Sequence, residues 1–397
     1  MKKNIIQPHQ TADSISRRTA IKTGITAAGA VALSHTSLGF PRKAPDEELT
    51  PFLNMPRTGP NRLDWETLDS WITPQDQVFS VSHYGTPEID EKKFKLEITG
   101  LVKKPATFTP AQLKALPAKD QLMTLECSGN GAGKGFMNAI YNSKWTGTPL
   151  RPILEQCGID PKAKEIVFIG ADKKEETLRG KLKIEVPFGR SMSMDDAMNL
   201  DLLLAYQRNG KSMELRNGAP LRLIVPGWYG IANIKWLTRV EIRDRRYMGR
   251  FMGRDYVTVR GERRDNGIVP VETSVGRMNL KSIIARITRR PTAKGFVPLK
   301  ACGAVWGDGT EIKKVEVKVD EGKWVSAQID AKPREKFCWQ FFSIDLGNVK
   351  PGKHTVVSRA IDINGRVQPA AKDDEIALKK TYWEAYQQWP REIEVEA

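Results

Sequence analysis

Residues 122–135 impose the strongest constraint in this chain. Leu122, Met123, Thr124 and Leu125 form an apolar run that leads through Glu126 to Cys127, and Gly129, Gly131, Gly133 and Gly135 fall in the next eight positions. A short apolar run bounded by turn residues reads as a buried strand. Glycine, lacking Cβ, lets backbone approach a ligand closely and turns N–H groups toward an anion. A thiolate held at a strand end beside such a cradle suits a soft metal or a covalent step. The plain alternative is a buried cysteine before a turn, since free cysteine behaves as a small core residue.

At 397 residues the chain exceeds one ordinary core, and two domains are expected. Its 40% hydrophobic and 28% charged residues are globular proportions. The first forty residues carry a separate meaning. Ser16, Arg17, Arg18 and Thr19 precede a mildly apolar run from Gly24 to Leu33. This reads as a twin-arginine export signal, too short to cross a bilayer, although Ala20 stands where phenylalanine is common. Such export implies a periplasmic address and fits a protein folded around a cofactor. No other run is long and apolar enough for a membrane span.

The net charge is +16; residues 1–40 contribute five basic residues and one acidic one, so removing that +4 leaves +12. No nucleic-acid motif accompanies this balance, so nucleic acid is not an expected partner; an anionic substrate or an acidic redox partner suits it better. Four cysteines, at 127, 157, 302 and 338, are too few for a disulfide framework. Cys302 and Cys338 lie in strand-like segments and are expected as core thiols, with pairing as the alternative. There is no CxxCH haem attachment and no zinc-type cluster.

Taken in order, residues 41–75 read as an extended arm, and residues 94–98 as a half-buried strand. Thr109 and Pro110 open a short helix; Thr148 and Pro149 open a second, stopped by Gly158. Strands are expected at 166–170, 221–225 and 236–243, with a hairpin turn at Asn209–Gly210. This mixed α+β domain is expected over 41–288. From 289 to 397 alternation dominates, as in Ile312, Val315, Val317 and Val319. Short strands without helices predict an immunoglobulin-like sandwich.

The candidate chemistry narrows quickly. Only four histidines exist, and His9 and His35 lie in or near the signal. A Cys127–His83 hydrolase with a glycine-rich oxyanion loop is one arrangement. No phosphate-binding or dinucleotide glycine motif stands in a strand–helix setting. Arg222 before Pro226–Gly227, and Lys235 after Asn233–Ile234, supply cations where an anionic cofactor would need them.

Over nearly its whole length beyond the signal, the sequence resembles the sulfite oxidase family of molybdenum enzymes, in particular the periplasmic bacterial sulfite dehydrogenases. The resemblance rests on an ordered set: Leu125 to Asn130, Leu204 to Gly210, Gly218 to Arg222 with Val225–Pro226–Gly227, and Asn233 to Leu237. Cys302 to Trp306, and Ala360 to Gly365 before Gln368–Pro369, match the family's dimerisation domain. The resemblance implies a molybdenum–molybdopterin cofactor with Cys127 as the thiolate ligand. Phe79, His83, Asp172, Asn217, Arg222, Asn233, Ile234 and Lys235 match positions that hold the pterin and its phosphate. Tyr256 matches the active-site tyrosine, with Tyr247 as the fallback.

The implied reaction oxidises sulfite to sulfate, with the sulfur lone pair as nucleophile, so no protein nucleophile is required. No haem is expected in this chain, which implies a separate c-type cytochrome as acceptor; a homodimer is expected as well. Three departures bear on the substrate. Val81, Ala132 and Asn217 stand where the family places two arginines and a histidine, and Lys134, Arg245 and Arg254 are candidates to restore the charge. These departures keep a sulfane dehydrogenase or a sulfoxide reductase of the same family open, and an exported binding protein is the non-enzymatic alternative.

Overall fold

The apolar alternation of the C-terminal third and the mixed pattern before it produce two sheet-rich halves joined by one core. The computed structural model describes residues 43–55, 61–131, 137–291, 297–331 and 334–396. The expected export signal, Ala132 and Lys134 lie outside the described residues.

The N-terminal half holds two five-stranded sheets. In the first, Arg222–Ile224, Leu203–Arg208, Ile140–Pro149 and Lys119–Glu126 lie side by side, all antiparallel, with Lys211–Ser212 paired to Leu203–Arg208. Asn209 (φ 51°) and Gly210 (φ 76°) make the expected tight turn between the last pair. The second sheet runs Ala106–Phe108, Leu96–Gly100, Leu237–Arg243, Glu165–Leu178 and Leu182–Ser193. One pair, Leu96–Gly100 with Leu237–Arg243, is parallel. Helices are short. Pro110–Lys114 begins with a full capping box between Thr109 and Gln112. Leu150–Cys157 ends on left-handed Gly158, as expected. Its start differs from the expectation: Thr148 belongs to the strand, and its hydroxyl donates to the Leu113 carbonyl (2.8 Å). The β-ladder takes Thr148 because its neighbours pair with Leu203–Arg208.

The C-terminal strands form one eight-stranded antiparallel array that doubles over as a sandwich. Ser282 Oγ meets Ser358 Oγ across it at 3.0 Å, and Ile284, Val315, Phe342 and Ile393 fill its interior. The array includes Lys281–Arg289, which begins before residue 289, and takes Glu48–Leu49 from the N-terminal arm onto its edge. All four cysteines are free, and Cys302 and Cys338 are buried core thiols.

The arm is the seam between the halves. Trp65 stacks on Trp306 and packs on Trp339 at centroid distances of 6.1 and 5.5 Å. Trp71 and Trp339 each donate an indole N–H to the other's carbonyl (3.2 and 3.0 Å). Buried aromatics supply large apolar area, and the Trp65, Trp71 and Trp339 indoles each find a carbonyl acceptor, so residues 61–75 are fixed in place without any periodicity.

Candidate active site

Four local devices converge on one cleft. The strand Lys119–Glu126 ends in the core and delivers Cys127 to its inner end. The Phe79–His83 segment, held by Ser80 Oγ donating to the Arg216 carbonyl (2.7 Å), lines a second side. A register shift between Ile169 and Lys173 releases Asp172 from the ladder. A 3-10 turn at Gly230–Ala232 precedes Asn233, whose Oδ1 accepts from the Val225 N–H (2.8 Å) and whose amide donates to the Tyr229 carbonyl (3.1 Å). That bracing presents Lys235. The enclosed space is about 620 Å³, part of it open to solvent.

Eight of the expected residues line this cleft: Phe79, His83, Cys127, Asp172, Arg222, Asn233, Lys235 and Tyr256. Asn217 and Ile234 do not. The Asn217 carbonyl accepts from Arg222 Nη1 (3.0 Å), and the Ile234 carbonyl accepts from the Leu223 N–H (2.8 Å). Both therefore act on the backbone behind the cleft. Tyr247 stands elsewhere, its N–H donating to Glu165 (2.6 Å).

The electrostatics fit an anion at one end. Asp172 Oδ1 and Arg222 Nε are buried without a hydrogen-bond partner, a costly state for polar atoms that a bound ligand relieves. Lys235 Nζ donates to Ser82 Oγ (2.6 Å) and to the Arg216 carbonyl (3.1 Å). Burial, assisted by the Arg222 charge, lowers the Lys235 ammonium to about 7. Burial raises the Asp172 carboxyl to about 6.

At the other end, His83 Nε2 and the Tyr256 hydroxyl lie 2.6 Å apart. Burial, with the Arg250 charge second, lowers the His83 imidazole to about 4, so the ring is neutral near pH 7. Tyr256 has φ 59°, a conformation that non-glycine residues adopt at some cost and that clusters at functional sites. Burial raises its hydroxyl above the ordinary tyrosine value, with Cys127 adding to the effect. Nε2 of the ring that a Cys127–His83 hydrolase would use is thus engaged by Tyr256.

Cys127 sits in a braced loop. Its N–H donates to the Ala139 carbonyl, and its carbonyl accepts from the Asn130 N–H, both at 2.9 Å. Glu126, fully buried, accepts from Trp306 Nε1 (2.8 Å), Asn130 Nδ2 (3.0 Å) and Lys281 Nζ. Lys281 is itself fully buried. Burial raises the Cys127 thiol above the usual range, while the Gly129 N–H pulls it down. Among the described residues no three His, Cys, Asp or Glu side chains gather as a metal cage. A metal here would therefore take one protein thiolate and draw its other ligands from a cofactor.

Sequence reasoning missed Glu126 and Lys281, and the C-terminal segment that brings Tyr382 and Trp383 beside Cys127. A lysine opening the apolar run Ser282 to Ile284, and a glutamate ending another, were the available signals. Two of the charge-restoring candidates, Arg245 and Arg254, are engaged elsewhere. Arg254 pairs with Glu176 (3.3 Å) and exposed Arg245 with Asp244 (3.4 Å). Arg250 is held by Glu176 and by Asp255 (2.7 Å).

Residues 83–251 match the oxidoreductase molybdopterin binding domain, and residues 272–384 the Mo-co oxidoreductase dimerisation domain. The chain belongs to the sulfite oxidase family of molybdoenzymes. Sulfite oxidase from Arabidopsis thaliana is 27% identical over 347 residues, covering 76% of this chain and 83% of that protein. Nitrate reductase [NADH] 1 of the same plant is 30% identical over 319 residues, 70% of this chain but only 33% of that longer protein. The crystal structure of the sulfane dehydrogenase SoxCD from Paracoccus pantotrophus superposes with a TM-score of 0.70 at 26% identity, covering 93% of this chain and 95% of that one. The protein is therefore an oxidoreductase of this family, and the matched domain supports a molybdenum–molybdopterin cofactor. The lone thiol, the unpartnered Asp172 and Arg222 atoms and the Lys235 ammonium fit that group.

Proposed function

We propose that this chain is a periplasmic sulfite dehydrogenase, exported by the twin-arginine route. It acts as a homodimer without haem of its own and passes electrons to a separate c-type cytochrome. The observation that carries the reading is the meeting, in one cleft, of the Cys127 thiol, the His83–Tyr256 pair and the cationic end formed by Arg222 and Lys235. When bound, the molybdenum cofactor supplies oxygen-atom transfer and takes up two electrons. Sulfite and water then give sulfate, two protons and two electrons.

Cys127 would ligate the metal, and Arg222 and Lys235 would hold the cofactor's phosphate. Asp172 would accept a hydrogen bond from the pterin. Tyr256, oriented by neutral His83, presents a hydroxyl that donates to an oxygen of the reacting anion. Trp383, stacked on Tyr256 at 4.1 Å, helps exclude water.

A second reading rests on the charge pattern. Arg250 and Arg254 are both neutralised by carboxylates, and Val81 faces the mouth. That arrangement favours a less charged sulfur compound, as would be handled by a sulfane dehydrogenase or a sulfoxide-reducing enzyme.

The test is molybdenum content of the purified protein together with sulfite-dependent reduction of ferricyanide and cytochrome c. About one metal per chain with sulfite turnover supports the first reading. Metal without sulfite turnover supports the second, and absence of metal from protein made where cofactor is available refutes both. Cys127→Ser is expected to lower molybdenum content at least tenfold while leaving thermal unfolding of the cofactor-free protein nearly unchanged. Retained metal would refute the ligand assignment.

A further inference from the structure

The residues around Cys127 are not all from the molybdopterin-binding half. After the short helix Asp374–Ala377, the chain crosses back over the cysteine loop. Glu384 pins this crossing. It is fully buried and left-handed (φ 57°), and both its carboxylate oxygens accept from Arg260 (2.9 and 2.5 Å). It also accepts from the Gly276 N–H (3.2 Å), and its own N–H donates to the Ser128 carbonyl (2.7 Å). The Glu384 backbone is thereby tied directly to the residue after Cys127.

The two residues before Glu384 are aromatic. Trp383 stacks on Tyr256 with centroids 4.1 Å apart, and Tyr382 packs on Trp383 at 4.0 Å. A methyl group placed on Gly129 would lie 3.6 Å from the Trp383 ring, 3.6 Å from the Tyr382 ring and 3.9 Å from Cys127 Sγ. One methyl-sized space thus touches the sulfur and both rings. Tyr382 is 52% exposed, which marks the solvent side of this wall.

We infer that Trp383 and Tyr382 form a rigid size-selecting wall beside the reacting centre, restricting the substrate to sulfur compounds whose substituents are no larger than a methyl group. The inference deepens the proposed function and rests on it. The stack on Tyr256 and the buried clamp at the next residue together hold this segment against the cysteine loop. Flat rings at van der Waals distance exclude an aryl or branched alkyl substituent, whereas a tetrahedral oxyanion passes.

The test uses molybdenum-loaded protein and two inert, product-shaped probes, sulfate and benzenesulfonate, measured by titration calorimetry. Native protein is expected to prefer sulfate at least tenfold. Trp383→Ala is expected to reduce that preference at least tenfold, mainly by tighter benzenesulfonate binding, while Trp383→Phe retains it. Sulfite KM should rise in Trp383→Ala with a smaller change in kcat. If Trp383→Ala fails to fold or load metal, Tyr382→Ala decides, because an exposed ring can be truncated without opening a core cavity; its preference should fall at least threefold. A preference unchanged in the variants that load metal overturns the wall, as does a native protein that binds benzenesulfonate as well as sulfate. Failure of the sulfite reading shows separately, as loaded native protein without sulfite turnover.

Discussion

Lys281→Met tests the bracing of the metal-ligand loop most directly. Lys281 and Glu126 are both fully buried and paired, with Trp306 and Asn130 also donating to the carboxylate. Removing one partner of a buried ion pair costs about 3–5 kcal/mol, because the remaining charge is stranded. Here Glu126 keeps two donors, so the lower end, about 3 kcal/mol, is expected, which is more than a hundredfold in the folded-to-unfolded ratio. Methionine matches the length of the lysine stem, so cavity formation adds little. Urea unfolding gives the single-variant cost, and Glu126→Gln and the double variant complete the cycle. The double variant should be more stable than the sum of the single costs predicts by at least about 1.5 kcal/mol. Molybdenum content should fall in Lys281→Met, since Cys127 directly follows Glu126. A cost below about 1 kcal/mol, or additivity within about 0.5 kcal/mol, would refute the claim that this pair holds the loop.

Three further outcomes follow from the geometry. Gly131→Ala should destabilise by about 2 kcal/mol or more, because φ is +94° and the new Cβ would lie 2.8 Å from Trp389; Gly129→Ala, with only ordinary contacts, should stay within about 0.5 kcal/mol, both by urea unfolding. In cofactor-free protein, sulfate binding measured by calorimetry should strengthen as pH falls from 8 to 5.5. Lys235 gains its charge through about 7 and Asp172 loses its own through about 6, so the pair passes from −1 through 0 to +1; affinity that is flat or rises with pH contradicts this assignment. His83, held at about 4 by burial, should show ring C–H NMR shifts that do not titrate between pH 5 and 8, and a midpoint near the ordinary histidine value would show that the ring is open to water.

Much of the site was legible because it is local. The apolar run into Cys127 and the glycines after it name the loop. Arg222 and Lys235 stand out as cations beside turn residues, and Asn209–Gly210 fixes its own turn. What was not legible is what depends on distant pairing. Thr148 looks like a helix cap until Leu203–Arg208 draws it into a ladder. Asn217 and Ile234 sit in the right segment, but their carbonyls are engaged behind the cleft and the Asn217 amide turns to Glu214 (3.4 Å). Trp383 reaches the cysteine only because the sandwich closes over it, and nothing in its immediate neighbours carries that information. The same holds for Trp65 and Trp71, whose aromatic partners Trp306 and Trp339 lie more than two hundred residues away.

The way the arm is stitched into the far end of the chain bears on how the protein is made. Asn54 donates to the Pro390 carbonyl, a partner 336 residues later in the chain (2.9 Å), and Leu53 reaches Glu392 (2.8 Å). A ribosome therefore releases Leu53 and Asn54 long before their C-terminal partners exist. Through most of translation Trp65 and Trp71 lack the Trp306 and Trp339 rings they pack on, and the start of the arm can dock only once Pro390 and the final strand, Arg391–Val395, have emerged. Such late, long-range closure is slow and leaves apolar surface open meanwhile. The yield of correctly assembled enzyme should thus depend on how well the arm is shielded during synthesis.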